Sequence, residues 1–138
     1  MVNGSPRPLR VLIVDDYPVA RRMFHMGLSQ LGVEVLEADD VQGALALVRD
    51  REPDAVVIDV FLGRESGLSI ARSLRPDLVR APPVLIALSG HAGQEHRDRA
   101  LEAGCDDYVV KPCDAEGLLG VIRKVLGRRA PKAQVSNL

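Results

Sequence analysis

Four apolar segments of this sequence each run into a side chain that can take part in chemistry. The acids Asp15 and Asp16 follow residues 11–14, Asp59 follows 55–58, Ser89 follows 84–88 and Lys111 follows 108–110. Short apolar runs bounded by turn residues are typical of strands buried on both faces. In a parallel sheet the ends of such strands share one edge, so these side chains converge there. Three acids in one place are unfavourable unless a cation neutralises them.

The residue types at this edge indicate phosphoryl transfer. Carboxylate oxygens suit Mg²⁺, which takes one or two carboxylates together with phosphate oxygens, so Asp15, Asp16 and Asp59 can share such an ion. A carboxylate can also be the nucleophile that forms an acyl phosphate. Lys111 offers a charge to one phosphoryl oxygen, and the hydroxyl of Ser89 offers a hydrogen bond to another. Each motif alone is weak, because an Asp after a strand is usually a turn or cap residue. Their joint occurrence predicts a phosphoryl-acceptor site.

The intervening segments predict the elements that position these side chains. A first helix runs from Pro18 to about Leu31, with an apolar face made of Val19, Met23, Met26 and Leu31. A second helix is predicted from a cap at Asp39 or Asp40 to a stop near Pro53, and a third from a cap at Ser66 to a stop near Pro76. A fourth helix is predicted over residues 94–103 and ends at Gly104. A fifth begins at a cap at Asp114 and stops near Gly127. Residues 33–37 nearly alternate, which favours a strand near a sheet edge. Strand and helix alternate five times, so an α/β fold with a parallel sheet and helices on both faces is predicted.

Composition limits the function classes. The chain has 138 residues, which is the size of one domain with a proper core. Its 46% hydrophobic and 27% charged residues are ordinary for a globular protein. A net charge of −1 and 3% aromatic residues argue against a nucleic-acid surface. We find no apolar run near the ~18 residues of a membrane span and no secretory signal. Two cysteines, Cys105 and Cys113, indicate reduced thiols, so we expect a cytoplasmic protein.

The motifs, taken together, resemble the response-regulator receiver domain of two-component signalling. They are Asp15-Asp16 after the first strand, Asp59 after the third, Ser89-Gly90 after the fourth and Lys111-Pro112 after the fifth. The segment of residues 100–108 before that lysine also resembles the family's usual sequence there. The resemblance covers residues 10–126. It implies a flavodoxin-like (βα)5 fold with strand order 2-1-3-4-5. We expect a receiver over residues 10–127, a flexible lead-in over 1–9 and a flexible tail over 128–138. Nothing after Leu126 is expected to fold as an output domain. The residues therefore leave open a stand-alone receiver that binds a partner, one that passes phosphate onward in a relay, and a fragment of a larger protein.

The resemblance also implies the roles of the site residues. A histidine kinase or a phosphorylated histidine domain would donate phosphate to Asp59. Magnesium would be held by Asp16, Asp59 and the backbone carbonyl of Phe61, with Asp15 acting through water. Ser89 and Tyr108 would form a switch pair, in which the hydroxyl moves toward the phosphate and the aromatic ring turns inward. Such a protein signals to a downstream target and is not expected to be an enzyme.

Two contact surfaces are also considered, the first implied by the resemblance and the second by charged residues. The first helix, over residues 20–26, would face the phosphate donor. Arg97, Asp98, Arg99 and Glu102 lie on the predicted fourth helix, where they could pair across a homodimer formed by the fourth helix, fifth strand and fifth helix. A solvated helix side is the alternative for these charges. No nucleic-acid contact or membrane insertion is predicted.

Three positions depart from the usual pattern of the family. Gly63 stands where a proline is usual, so the shape of the loop after Asp59 is open. Phe61 and His91 stand at the two positions that, in that family, modulate loss of phosphate. We hypothesise that the ring of Phe61 shields an acyl phosphate from water. His25 and His96 lack a second ligand at metal spacing and are interpreted as solvated or packing histidines.

Two other functions remain open from the residues. One is a phosphatase resembling the haloacid dehalogenase superfamily, which also uses a nucleophilic Asp after a strand. That class has a second acid two residues later, where Phe61 stands here, and gives no reason for Asp15-Asp16. The other is a receiver-like interaction domain that acts without phosphorylation.

Overall fold

Strands and helices alternate along residues 7–74 and 82–136, which the computed structural model describes. The described elements are β1 Arg10–Val14, α1 Pro18–Gln30, β2 Glu34–Ala38, α2 Val41–Arg51, β3 Ala55–Asp59, β4 Phe61–Leu62, β5 Glu65–Ser66, α3 Leu68–Ser73, β6 Val84–Ser89, α4 Gln94–Ala103, β7 Asp107–Val110 and α5 Ala115–Ser136. The predicted stop of the third helix near Pro76 lies outside the described residues. Among the described helices, none combines the length and apolar character that a bilayer span requires.

Five of the strands form one parallel sheet in the order β2-β1-β3-β6-β7. This is the predicted 2-1-3-4-5 order once β4 and β5 are set aside, so the flavodoxin-like α/β prediction is confirmed. The edge position predicted for residues 33–37 is confirmed by β2. Strands β4 and β5 form a small antiparallel hairpin within the segment predicted as a loop.

The two faces of the sheet carry separate hydrophobic clusters. Along β3, Ala55 and Val57 belong to one cluster, and Val56 and Ile58 belong to the other. This follows from the alternation of side chains along a strand. Helices α2, α3 and α4 contribute to the cluster of Val56, whereas α1 and α5 contribute to the cluster of Val57. All five residues of β3 and all six of its neighbour β6 are buried, so Asp59 and Ser89 end the two enclosed inner strands of the sheet.

Helix termini mostly follow the predicted signals. Asp40 caps α2 by accepting a hydrogen bond from the Gly43 N–H at 2.7 Å, and Asp114 accepts one from Gly117 at 2.8 Å at the start of α5. Gly104 ends α4 with φ +118°, a conformation that suits glycine. At α3, Gly67 occupies the cap position predicted for Ser66, although the hydroxyl of Ser66 still accepts from the Leu68 N–H.

The apolar stripe of α1 faces solvent. Val19 and Met26 are exposed, and Met23 is 68% exposed. The core instead receives Leu28, which is fully buried, and Phe24, which packs against the cluster of α5. Helical periodicity shows which residues share a face but does not show whether that face meets the sheet, because two stripes of this helix are apolar.

Residues on both sides of the predicted domain boundaries take part in described structure. Helix α5 continues to Ser136, whereas the sequence predicted a flexible tail from residue 128. A glycine costs a helix only about 1 kcal/mol relative to alanine, so Gly127 is a weak stop. The Arg129 guanidinium, beyond it, donates to the Pro82 carbonyl at 2.8 Å and pairs with Asp106 at 3.0 Å. In the predicted lead-in, Arg7 pairs with Asp54 at 2.9 Å.

Candidate functional site

The structure brings the predicted side chains together at the carboxyl edge of the sheet. The ammonium of Lys111, after β7, lies 3.0 Å from Oδ2 of Asp59 and 3.9 Å from Oδ2 of Asp15. Ser89, the last residue of β6, is buried, and its carbonyl accepts the Lys111 N–H at 2.8 Å. Parallel strands end at this edge by topology, and ligands of such sheets bind there.

Three carboxylates form a tight acidic cluster beside Lys111. One oxygen each from Asp15, Asp16 and Asp59 lies within 4.8 Å of the others. Asp16 is exposed, whereas Asp15 is only 2% exposed. Burial raises the pKa of Asp15, and the negative charge of Asp59 adds to this rise, although a hydrogen bond from the Tyr17 N–H opposes it. A cation bound among these oxygens would remove the electrostatic cost.

Backbone N–H groups orient the two buried carboxylates, those of Asp15 and Asp59. Oδ1 of Asp15 accepts the N–H of Tyr17 at 2.9 Å, and Oδ1 of Asp59 accepts the N–H of Phe61 at 3.0 Å. Each is a turn closed by an Asp side chain onto the amide two residues later. This interaction fixes one oxygen of each group and turns the other oxygen of Asp59 toward Lys111.

The chain passes very close to Asp59 at Gly67. A Cβ placed on Gly67 would lie 2.0 Å from the Asp59 carbonyl oxygen and 2.7 Å from the Ile58 side chain. The Gly67 N–H also donates to the Val60 carbonyl at 2.8 Å. A side chain at this position therefore cannot be accommodated without moving the backbone of β3.

The two residues predicted as a switch pair meet at His91. The hydroxyl of Ser89 accepts the His91 N–H at 3.1 Å, and the hydroxyl of Tyr108 donates to the His91 carbonyl at 2.5 Å. Tyr108 is only 7% exposed and belongs to the hydrophobic cluster of α2, α3 and α4. The Tyr108 ring is therefore already buried in this structure, whereas the switch was expected to turn it inward on phosphorylation.

Three rings form a row at the edge of the site. The ring centroids of Phe61 and His91 are 5.0 Å apart, and His91 stacks on His96 at the same centroid distance with 30° between the planes. Phe61 is half exposed. His96 was expected to be solvated or to pack, and it packs on His91. The row itself was not predicted, because a sequence spacing of five residues across a loop gives no ring stack.

Gly63 forms the tip of the β4–β5 hairpin next to the acidic cluster. Its φ is +61°, and a Cβ placed there would lie 3.5 Å from Oδ2 of Asp16. Proline fixes φ near −65°, so the proline usual at this position could not adopt the conformation of this turn. The departure noted in the sequence therefore gives this chain its own hairpin shape beside Asp16.

The charged residues of α4 pair within the chain. Arg99 lies 2.6 Å from Glu95, and Arg97 lies 3.4 Å from Asp107 on β7. Outside α4, His25 of α1 contacts Glu37 of β2, with 2.5 Å between Nδ1 and Oε2. These α4 contacts lie within one chain and fit the solvated-face interpretation.

Comparison with known proteins agrees with this geometry. The sequence profile described as response regulator receiver domain matches residues 11–123. The phosphate regulon transcriptional regulatory protein PhoB of Pseudomonas aeruginosa is 36% identical over 121 residues, which cover 88% of this chain and 53% of that protein. The chain thus spans about half the length of this curated relative.

Solved structures show the same fold. The receiver domain of the Francisella response regulator 1452 is 26% identical, with a TM-score of 0.77, over 87% of this chain and 98% of that chain. A response regulator from Burkholderia pseudomallei, solved with a phosphorylated aspartic acid, calcium ion and citrate, is 28% identical, with a TM-score of 0.75, over 89% of this chain and 74% of that chain.

The fold and the acidic edge define an α/β receiver. This chain belongs to the response-regulator receiver domain family of two-component signalling. Receiver domains are in general signalling modules and not enzymes. The match favours neither the phosphatase nor the phosphate-independent interaction domain that the residues alone had left open.

Proposed function

We propose that this receiver accepts a phosphoryl group on Asp59 from a histidine kinase or a phosphorylated histidine domain. The observation that carries the proposal is the contact of 3.0 Å between the Lys111 ammonium and Oδ2 of Asp59, with oxygens of Asp15 and Asp16 alongside. The Burkholderia pseudomallei relative, with its phosphorylated aspartic acid, supports the same chemistry.

In the proposed transfer an oxygen of Asp59 attacks phosphorus. The new O–P bond forms as the N–P bond of the phosphohistidine breaks, and the imidazole leaves. Both oxygens of Asp59 already accept one hydrogen bond, but a carboxylate oxygen has a second lone pair free for the attack. Lys111 neutralises charge on the transferred group, and Ser89 turns its hydroxyl to a phosphoryl oxygen.

The acidic cluster fits Mg²⁺. Its donors are carboxylate oxygens within 4.8 Å of one another, and the buried Asp15 among them gains from a neighbouring positive charge. We propose that Asp16, Asp59 and the backbone carbonyl of Phe61 hold the ion and that Asp15 acts through water. When bound, the ion neutralises the acids and the oxygens of the incoming phosphate.

We propose that phosphorylation acts through the switch pair. Ser89 would exchange its hydrogen bond from His91 for one to the phosphate, and Tyr108 would keep the inward position. The changed surface is the face of α4, β7 and α5, where Val110 is exposed. This face would bind a downstream target or a second copy of the chain. Sedimentation before and after phosphorylation would distinguish a dimer from a monomer.

We assign the donor surface to α1. Met23 and Ala20 border an open cleft of about 600 Å³ that α1 forms with residues 111–115, next to Lys111. An exposed apolar stripe beside the acceptor offers a docking surface for a phosphohistidine-bearing partner.

The proposed receiver unit is residues 10–127 together with the turn of α5 that carries Arg129. We expect it to act in the cytoplasm without catalysing turnover of a substrate.

The test is intact-mass spectrometry after incubation with Mg²⁺ and phosphoramidate. We expect the native chain to gain one phosphoryl group and Asp59→Asn to gain none. Asp98→Asn is the matched control, since Asp98 lies on α4, where it accepts a hydrogen bond from Gln94. This control should be labelled like the native chain.

The other outcomes count against specific parts of the proposal. Labelling of both the native chain and Asp59→Asn would place the acceptor elsewhere. Labelling of neither, with Mg²⁺ binding intact, would favour an interaction domain that acts without phosphate.

A further inference from the structure

Arg21 links α1 to the backbone of Asp15. Its Nη1 donates to the Asp15 carbonyl at 2.8 Å, and its Nε donates to Oε1 of Glu37 at 2.7 Å. The side chains of Arg21 and Glu37 are 16% and 17% exposed, so this pair is largely removed from water. Burial raises the pKa of Glu37, but hydrogen bonds from Arg21 and His25 outweigh it and leave the pKa below its ordinary value. The pair is therefore charged at neutral pH.

The same strand that carries Glu37 also holds the N–H of Asp15. The Asp15 N–H donates to the carbonyl of Ala38 at 3.1 Å. Both backbone polar groups of Asp15 are thus fixed from the end of β2, one directly and one through Arg21. Because a peptide unit is planar, holding the Asp15 carbonyl also fixes the nitrogen of Asp16. Two of the three acids of the cluster depend on this peptide.

We infer that Arg21, held by Glu37, is a positioning residue that sets the metal affinity of the acidic cluster. The inference rests on the proposed function, in which Asp16 and Asp59 hold Mg²⁺. The guanidinium reaches a carbonyl of the acidic turn while its charge is matched by Glu37. Its effect is therefore on the orientation of the Asp15–Asp16 peptide, more than on the net charge near the ion.

The adjacent arginine provides a matched control. Arg22 is 72% exposed on the same helix, and its Nε lies 3.8 Å from Oε2 of Glu37. Loss of Arg22 removes the same charge and the same length of side chain without touching the Asp15 carbonyl. Lysine at position 21 keeps the charge but lacks the planar fork that reaches two acceptors, so Arg21→Lys should restore affinity only in part.

The test is calorimetric titration of the full chain with Mg²⁺, with a thermal melt of each sample. Outer-shell residues change metal affinity by about 10- to 100-fold in known sites, so Arg21→Met should weaken Mg²⁺ binding by about tenfold or more. Glu37→Gln should weaken it in the same direction, whereas Arg22→Met should bind as the native chain does.

The outcomes separate the inference from the function it rests on. A lower melting temperature for Arg21→Met with native Mg²⁺ affinity would show a merely structural role and overturn the inference alone. Failure of the native chain to bind Mg²⁺ would overturn the proposed metal site as well. If Arg21→Met does not fold, the affinities of Arg21→Lys and Glu37→Gln decide, and native values for both would refute the inference.

Discussion

The hydroxyl groups of Ser89 and Tyr108 are hydrogen-bonded to the N–H and the carbonyl of one residue, His91. Both members of the proposed switch pair are therefore bonded to the backbone of one residue on the loop between β6 and α4. Movement of either hydroxyl leaves a polar group of His91 without its partner. In the proposed switch the Ser89 hydroxyl leaves the His91 N–H for the phosphate, while the Tyr108 hydroxyl keeps its hydrogen bond to the His91 carbonyl.

Loss of the Tyr108 hydroxyl should lower stability modestly. A typical hydrogen bond contributes about 1 kcal/mol, so Tyr108→Phe should reduce the free energy of unfolding by about that amount. Tyr17→Phe is the matched control because Tyr17 is exposed. Urea unfolding of the three proteins gives the comparison. Equal stabilities for Tyr108→Phe and the native chain would show that the bond to His91 contributes nothing.

The ring of Phe61 should lengthen the life of the phosphorylated form. Phe61→Asn removes the ring at the edge of the site, so water reaches the acyl phosphate more easily and dephosphorylation should accelerate several-fold. The decay of the phosphorylated mass after removal of the donor gives the rate. Met26→Asn, on the exposed stripe of α1, should decay at the native rate. The shielding hypothesis does not survive if Phe61→Asn and the native chain decay equally fast.

The ionised Glu37, hydrogen-bonded to Arg21 and His25, should make the chain less stable in acid. Its pKa is lowered from 4.5 in the folded state, so Glu37 contributes stability that is fully present above pH 4.5 and is lost as pH falls through the lower folded pKa. The difference in unfolding free energy between the native chain and Glu37→Gln should shrink over that window. Urea titrations from pH 6 downward, at about half-unit steps, measure it; a constant difference would contradict the lowered pKa.

The two thiols should differ in reactivity. Burial raises the pKa of Cys105 to about 12, so almost no thiolate exists at neutral pH, and its side chain is covered. Burial also raises the pKa of Cys113, but this residue borders the open cleft beside α1. In the folded chain a maleimide should label Cys113 first, and Cys113→Ser should stay unlabelled until denaturant is added. Rapid labelling of folded Cys113→Ser would mean that Cys105 is accessible.

Replacement of Gly67 should be severe. The 2.0 Å separation between a Cβ at this position and the Asp59 carbonyl means that Gly67→Ala must move the backbone of β3 or α3. We expect a loss of stability of several kcal/mol, at the upper end of single substitutions, and loss of phosphorylation. Gly90→Ala is the control, since open space surrounds that position. A native melting temperature for Gly67→Ala would contradict the close approach.

The strands and the site edge could be predicted because each depends on local patterns. Apolar runs that end in Asp15, Asp59, Ser89 or Lys111 mark buried strands, and parallel topology then places their ends together. The exposure of the α1 stripe could not be predicted, since it depends on which of two apolar faces meets the sheet. The extension of α5 past Gly127 brings Arg129 to Asp106, a contact between residues distant in sequence that local patterns do not report.

The finer geometry of the site was also beyond the sequence. Asp15 and Asp16 are adjacent and identical in type, yet one is buried and the other is exposed. The stack of His91 on His96 and the contact of Arg21 with the Asp15 carbonyl need the folded backbone of two elements each. Sequence patterns report which residues gather at an edge. They do not report the orientation of each side chain once it is there.

Tyr108 is a member of a hydrophobic cluster as well as of the proposed switch. If the ring swings out to solvent, it leaves behind a void that its neighbours can fill only in part. The inward and outward arrangements therefore differ in volume, and hydrostatic pressure favours the arrangement with less empty space. Compression should accordingly hold the ring inside, so pressure can bias this switch without any change in phosphate, metal or pH.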